Sequence, residues 1–334
     1  MEMDKIKEYV ASTRALLDLW QPQSTLSVAS VPTFLHEPGI LTGYRLSNQS
    51  WFYYAKSIFH IHNETFNIWT HLVGFILMWT TLAQYFFIYN FWEDQESWPI
   101  LVFGTYCLLS MAISTFAHIF HTKSFNIHYT VLFLDYIGVS FYGLGSGLLG
   151  LYVFSDDKIY ETVEALTFAL LWIYAWFDFV VMCVVKVLYD DNSPRRKYWI
   201  IGVFVVHGIL VTIPVGHRYW VCFNDNLCSL SSLNHLTVIY LLFVLMGFTF
   251  GSHMPELVFP GAFDIFGHSH QIFHIVSTTT QILQVHIAHS EIKSREHHHG
   301  NPDLSLLVLS TVVMLMCQIL SLVFIKKYVF AKGT

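Results

Sequence analysis

The chain has 334 residues, of which 54% are hydrophobic and only 12% are charged, and its formal net charge is −6. A soluble domain usually carries about 25% charged residues, so this composition argues against a soluble enzyme and against a disordered chain. The negative charge also argues against a nucleic-acid partner, because polyanion binding relies on lysine and arginine. An integral membrane protein remains. Histidine is unusually frequent, since its 19 residues outnumber the 17 lysines and arginines together.

The first 65 residues precede the first long apolar run and are predicted to be a cytosolic N-terminal segment. Residues 1–9 have no apolar core, which argues against a signal peptide. Prolines interrupt the next stretch at Pro22, Pro32 and Pro38. Residues 51–62 mix aromatic side chains with lysine and histidine, a composition that fits either a helix lying in the membrane interface or an ordinary loop.

Eight apolar runs follow, each close to the length of about 20 residues that a helix needs to cross a bilayer. They occupy residues 66–90, 99–120, 128–154, 162–188, 198–216, 233–251, 266–289 and 304–325. The runs lack the alternation of a β-barrel strand, and helices pair their backbone groups internally, as lipid requires. We therefore predict an all-α, polytopic membrane helical bundle. Residues 66–289 form a seven-transmembrane core, and residues 290–334 form a loop, an eighth transmembrane helix and a short cytosolic tail.

Lysine and arginine are distributed unevenly between the two sides of the predicted bundle. With the N-terminus inside, 13 of the 17 fall in cytosolic segments. Because positively charged loops are retained in the cytosol, both termini are predicted to be cytosolic. The glycosylation sequons at Asn48 and Asn63 then lie in the cytosol. Cys222 and Cys228 share an outside loop, and a disulfide between them is left open at this point.

Ionisable side chains inside predicted spans are costly and are therefore candidates for function, and four of them stand out. His118 lies near the end of the second span, Asp135 about two turns into the third, and His270 and His274 at the start of the seventh. The predicted orientation places all four at a similar shallow depth on the cytosolic side.

The spacing of these residues is typical of a metal site. His270 and His274 are four residues apart and share a helix face, where two imidazoles can hold one metal ion. His118 would complete a three-histidine zinc site with an open fourth position. Asp135 could contact and deprotonate the metal-bound water, and Ser114 could hydrogen-bond that water or a substrate carbonyl. The alternative is a scatter of polar helix-end residues, since 19 histidines readily produce such a pair by chance.

The remaining polar and small residues in the spans are given structural interpretations. Asp178 and His207 have no evident partners and are interpreted as packing or cavity-lining residues. We interpret Asn67, Trp69 and His71 as parts of an interfacial aromatic belt and a helix cap. The third span contains four glycines, which we interpret as allowing close contact between helices: Gly143, Gly145, Gly147 and Gly150.

Around these candidate residues the sequence resembles the progestin and adipoQ receptor family. The matching stretches, in the family's order, are NETFNIWTH from Asn63, STFAH from Ser114, FLDYIG from Phe133 and GHSHQIFH from Gly267. The resemblance implies a zinc ion held by His118, His270 and His274. It also implies that Asp135 contacts the zinc-bound water and that Ser114 lies beside it.

An eighth span makes the chain similar to the membrane progestin receptors, whereas the adiponectin receptors have seven. The stretches GYR from Gly43, MPE from Met254 and FPG from Phe259 are similar to the same branch. One departure is Leu257, where relatives in that branch often have arginine.

The resemblance implies two functions. The first is a plasma-membrane receptor for steroid ligands of the progestin type, with signal transduction through a G protein or another cytosolic effector. The alternative is a zinc-dependent lipid-amide hydrolase similar to the alkaline ceramidases, which would take a sphingolipid from the surrounding membrane lipids and whose product could be the signal. A proton-relay transporter is disfavoured, because neither an inverted repeat nor a pair of broken helices is apparent.

Overall fold

The structure is a computed structural model of the chain. It describes residues 24–189, 193–224, 228–294 and 302–332, so the predictions made for residues 1–23 lie outside the described residues. Over these ranges the chain forms nine α-helices and no β-strand, which confirms the all-α class. The helices are α1 Trp51–Ser57, α2 Thr65–Ile88, α3 Trp98–Phe120, α4 Phe125–Leu149, α5 Asp157–Leu188, α6 Pro194–Asn224, α7 Asn234–Ser252, α8 Ser269–Ser294 and α9 Leu304–Lys332.

Within the described ranges, seven helices are long and apolar enough to cross a membrane: α2 to α7 and the C-terminal helix α9. Large apolar side chains point outward from them, with Phe87 as much as 93% exposed. Such a surface fits contact with lipid and does not fit contact with water. The helix α8 coincides with the seventh predicted span and has 26 residues, but it is rich in histidine, serine, threonine and glutamine. It packs against α2, α3 and α7, where its polar side chains are shielded from lipid.

The helix α4 is the most buried of the membrane-length helices. Its glycines let the neighbouring helices pack closely against it. A β-carbon at Gly147 would collide with Leu171 of α5, and one at Gly145 would meet Phe103 of α3 at 2.9 Å. The prediction that these glycines allow close helix contact is therefore confirmed. The helix continues as one π-helical turn, Gly150–Phe154, before α5 begins.

The Nδ1 atom of His207 and the Oδ2 atom of Asp178 are joined by a hydrogen bond. The expectation that neither residue has a polar partner is therefore wrong. The helices α5 and α6 are antiparallel neighbours. Asp178 lies 10 residues before the end of α5 and His207 lies 13 residues after the start of α6, so the two side chains reach the same depth. Both are buried, and the pair joins two helices inside the apolar bundle. Pairing of this kind is what a buried ionisable group in a membrane requires.

We call the end of the bundle where α3 ends and α8 begins the inner end, and the opposite end the outer end. Residues 24–63 lie at the inner end against the loop between α7 and α8. The Asp264 carboxylate accepts hydrogen bonds of 2.8 Å from the backbone N–H groups of Leu41 and Thr42. Gly261 donates its N–H to the carbonyl of Gly39 at 3.0 Å. Gly39 has φ +79°, which glycine adopts without strain, and the Glu256 carbonyl packs directly against it. The motifs near Gly43, Met254 and Phe259 belong to segments that meet in this cap.

Two features left open by the sequence are present in the fold. Part of residues 51–62 forms the helix α1, which the Ser50 side chain caps by accepting from the N–H of Tyr53, and it leaves Trp51 and Phe52 exposed. At the outer end, Cys222 and Cys228 form a disulfide.

Candidate metal centre

The helices α3 and α8 bring three histidines together at the inner end. One ring nitrogen from each of His118, His270 and His274 lies within 4.8 Å of the other two. The Nε2 atoms of His118 and His270 are 3.2 Å apart. His118 and His274 are buried and His270 is half-buried. One turn of α8 separates His270 from His274, and their ring centroids are 4.4 Å apart.

Hydrogen bonds fix which nitrogen of the His118 ring and of the His274 ring faces the cluster. Nδ1 of His118 lies 2.7 Å from the Glu64 carboxylate, which can only accept when ionised. Nδ1 of His274 lies 3.3 Å from the backbone carbonyl of Asn67 and 3.1 Å from the hydroxyl of Thr70. Both Nδ1 atoms therefore carry the proton, and the Nε2 lone pairs of His118 and His274 are free to bind a metal ion.

The residues fit the zinc ion that the family resemblance implies. Two imidazole nitrogens that face each other at 3.2 Å in a buried site repel unless a proton or a cation lies between them. Two nitrogens bound to one tetrahedral zinc ion at about 2.0–2.1 Å are separated by about 3.3 Å, so the observed spacing matches. Neutral imidazole is also a preferred zinc ligand.

Asp135 and Ser114 lie beside the histidine cluster. The carboxylate of Asp135, on α4, interacts with the hydroxyl of Ser114, on α3, and with the charge of His118. Ser114 is buried and Asp135 is half-buried. The arrangement offers an acceptor for a proton at the carboxylate and a hydroxyl donor next to it.

Glu64 immediately precedes α2 and is a site residue that the sequence reasoning missed. Its carboxylate accepts from Nδ1 of His118, accepts from the Asn67 side chain at 2.7 Å, and lies 3.3 Å from Nε2 of His121. All of these side chains are buried. A carboxylate that holds the second nitrogen of a metal-binding histidine fixes the ring and raises its basicity. Its one signal in the sequence is its place in the NETFNIWTH stretch, because an acid just ahead of an apolar run is ordinary.

Arg45 is the second residue that was missed, although the GYR stretch contains it. Its guanidinium is 1% exposed and donates to the carbonyls of His118 at 2.7 Å and Ile119 at 2.8 Å, and to the hydroxyls of Ser57 and Thr122. Burial lowers the pKa of Arg45 to about 10, so it stays charged at neutral pH. A cation at the C-terminal end of α3 complements the helix dipole and holds the turn that carries His118.

The predicted belt and cap residues divide between two roles. The Trp69 indole donates to the carbonyl of Ile58 at 2.9 Å and remains exposed, as an interfacial residue would. Asn67 and His71 instead face the histidine cluster. Asn67 bonds Glu64, and the His71 ring stacks on the ring of His274 with centroids 3.6 Å apart.

We expect Glu64→Gln to weaken zinc binding by about 10–100-fold, because a neutral amide orients His118 but supports its basicity less well than a carboxylate. A competition titration against a zinc chelator, on purified protein, measures the change. Glu161→Gln removes an exposed carboxylate at the outer end and should leave the affinity unchanged. An affinity within twofold of the native value in Glu64→Gln would contradict the orienting role.

Comparisons with known proteins place the chain in a family. The haemolysin-III related family matches residues 59–285. Membrane progestin receptor beta of Homo sapiens is 30% identical over 322 residues, covering 93% of this chain and 89% of that protein. Membrane progestin receptor alpha of Homo sapiens is 28% identical over 298 residues, covering 87% and 86%. Membrane progestin receptor gamma-A of Danio rerio is 31% identical over 310 residues, covering 86% and 89%. The chain is therefore a multi-pass membrane protein of the haemolysin-III related family, and it belongs to the membrane progestin receptor type of progestin and adipoQ receptors.

Proposed function

We propose that the protein is a membrane receptor for steroid ligands of the progestin type, with a zinc site at the inner end of the bundle. The observation that carries this proposal is the similarity to relatives named as membrane progestin receptors, which extends over most of both chains. A steroid is rigid and apolar and is suited to a site between helices with one or two polar anchors. His118, His270 and His274 would hold the zinc ion, and Glu64 would orient His118.

We also propose that the inner end faces the cytosol and that the receptor acts in the plasma membrane. The Cys222–Cys228 disulfide supports this orientation, because it lies at the outer end and disulfides persist in oxidising compartments. The cap formed by residues 24–63 would then be the surface offered to a G protein or another cytosolic effector.

The proposed orientation predicts that Asn48 and Asn63 carry no glycan in protein expressed in a eukaryotic cell. The measurement is a mobility shift on treatment with an endoglycosidase. A sequon created by His297→Asn together with His299→Thr, in the predicted outside loop, should acquire a glycan and serves as the control. Glycan on Asn48 of the native chain would reverse the proposed orientation.

A zinc-dependent lipid-amide hydrolase is the second candidate, favoured by the three-histidine arrangement beside an acid. A structural zinc site is normally closed by four protein ligands, whereas a catalytic one keeps an open position. When bound, zinc supplies a Lewis acid and lowers the pKa of water at that position. The Asp135 carboxylate would accept the proton from that water and return it to the leaving amine. The Ser114 hydroxyl would donate to the substrate carbonyl oxygen as negative charge develops there.

One comparison tests both candidates. We expect the purified native chain to bind progestin, and we expect Asp135→Ala to bind it equally well, because Asp135 is assigned to proton transfer. If the hydrolase proposal is correct, the native chain turns over ceramide and Asp135→Ala loses that turnover by about a hundredfold or more. Absence of progestin binding by the native chain would overturn the receptor proposal. Absence of turnover of any lipid amide by the zinc-loaded native chain would overturn the hydrolase proposal.

A further inference from the structure

The helix α8 carries a line of polar side chains along one face, which we call the polar stripe. The residues follow one another at intervals of three, four or seven and therefore share that face: His270, His274, Ser277, Gln281, Gln284 and Glu291. All except His270 are buried. At 1.5 Å per residue, the stripe from His274 to Glu291 is about 25 Å long, which approaches the hydrocarbon thickness of a bilayer, about 30 Å.

Several polar atoms beside the inner half of the stripe lack protein partners. The side-chain oxygens of Thr278 and Gln281, and both ring nitrogens of His71 on α2, are buried and make no hydrogen bond to any described residue. The two helices are in direct contact here, since His71 stacks on His274 and Gly74 packs against Thr278. Buried polar atoms in native proteins are almost always hydrogen-bonded, and water serves where the protein does not.

The outer half of the stripe borders a small cavity between α4, α6, α7 and α8, whose volume of about 10 Å³ is close to that needed for one water molecule. Its polar wall is formed by Gln284, which donates to the hydroxyl of Ser146 at 3.3 Å and accepts from the hydroxyl of Tyr142 at 3.2 Å. Tyr240 also lines the cavity, and most of the remaining wall is apolar. A cavity with polar groups on one wall retains water, whereas an entirely apolar one stays dry.

Phe154, in the π-helical turn after α4, lies between this cavity and the outer end. It lines the cavity, and its carbonyl accepts from Arg218 at 3.0 Å. Arg218 also donates to the Glu291 carboxylate at 2.9 Å, and Nε2 of His235 lies 2.6 Å from the same carboxylate. The His235 side chain is 35% exposed, so solvent approaches the last residue of the polar stripe.

We propose that the polar stripe lines a hydrated pathway that carries water from the outer end of the bundle to the histidine cluster. Protein groups hydrogen-bond the side chains of Gln284 and Glu291. In this proposal, water in the pathway hydrogen-bonds the side-chain oxygens of Thr278 and Gln281 and the ring nitrogens of His71. The pathway rests on the buried polar atoms and the cavity, and it holds whether the protein is a steroid receptor or a hydrolase.

Cysteine accessibility from the outer side tests the pathway. Gln281→Cys and Gln284→Cys are made in the full chain, reconstituted in sealed vesicles of known orientation and treated with a small membrane-impermeant cationic methanethiosulfonate. Only the thiolate reacts, and its formation requires water, so both cysteines should react at least about tenfold faster than Val285→Cys. Val285 matches Gln284 in burial and depth but lies off the polar stripe. The native chain, which has free Cys107, Cys183 and Cys317, sets the background rate.

The outcomes separate a continuous pathway from an isolated cavity. Equal rates in the three variants overturn the proposal. Reaction at position 284 without reaction at position 281 also overturns it, because water would then stop at the cavity.

A second measurement uses the native chain and so does not depend on the folding of a variant. Hydroxyl radicals generated from water by a brief X-ray pulse oxidise methionines that lie next to water. Met111 and Met314 are both fully buried, but only Met111 borders the contact of Gly74 with Thr278. We expect Met111 to be oxidised several-fold faster than Met314. Equal rates for the two methionines would overturn the hydrated inner half of the pathway.

Discussion

Replacement of His270 and His274 together by alanine is expected to reduce the zinc content of the purified protein from about one ion per chain to below about a tenth, since a zinc site needs at least three protein ligands. The two residues supply two of the three nitrogens that converge at the inner end. The remaining ring of His118 would still be held by Glu64, but one imidazole binds zinc too weakly to retain it through purification. Elemental analysis of the purified chain measures the change.

A control variant separates the loss of the two clustered histidines from the loss of a histidine elsewhere on α8. His286 lies on the same helix near the outer end, where its Nδ1 atom contacts the hydroxyl of Tyr85 at 2.7 Å. His286→Ala should therefore retain a full complement of zinc. Full zinc occupancy in the double variant would show that the three-histidine cluster is not the metal site. Loss of zinc in both variants would point to a general loss of folding, which size-exclusion chromatography in detergent detects.

The sequence predicted those features that depend on local pattern. The eight predicted runs coincide with the eight long helices of the described residues, because each run has the length that lipid demands. Seven of these helices are apolar enough to cross a membrane, and α8 is the exception. His270 and His274 could be grouped from their spacing, since one turn of helix separates them. His118 could be added because charge bias and span order place it at the same depth.

The features that were missed depend on side-chain contacts between distant segments. Glu64 and Arg45 lie outside the apolar runs, where charged residues are ordinary, and only the folded cap reveals that both are buried around His118. Asp178 and His207 are 29 residues apart on different helices, so their pairing depends on how α5 and α6 are aligned. The polar stripe of α8 is buried for the same reason, since its polarity becomes interpretable only when the neighbouring helices enclose it.

Arg45→Ala is expected to destabilise the protein more than any other single substitution considered, because Arg45 is almost fully buried and holds α1 and the end of α3 together. Two buried backbone carbonyls, those of His118 and Ile119, would lose charged donors. A buried acceptor left without a partner costs about 1–3 kcal/mol, so the loss should be roughly 2–6 kcal/mol. Thermal unfolding of the purified chain in detergent measures it as a fall in the apparent Tm.

One further variant distinguishes the geometry of the guanidinium from its charge, and a second serves as a control. Arg45→Lys keeps a cation at the C-terminal end of α3, but an ammonium group cannot reproduce the planar fork that reaches His118, Ile119 and two hydroxyls at once. It should recover the part of the stability that comes from the helix dipole, about 0.3–1 kcal/mol, and leave the rest lost. Arg195→Ala removes an exposed arginine at the start of α6 and should leave the apparent Tm unchanged.

The hydrogen bonds from Arg45 hold the helical turn that carries His118. Both the zinc affinity and the apparent Tm should therefore fall in Arg45→Ala. A stable protein with native zinc affinity would show that the cap and the histidine cluster are independent.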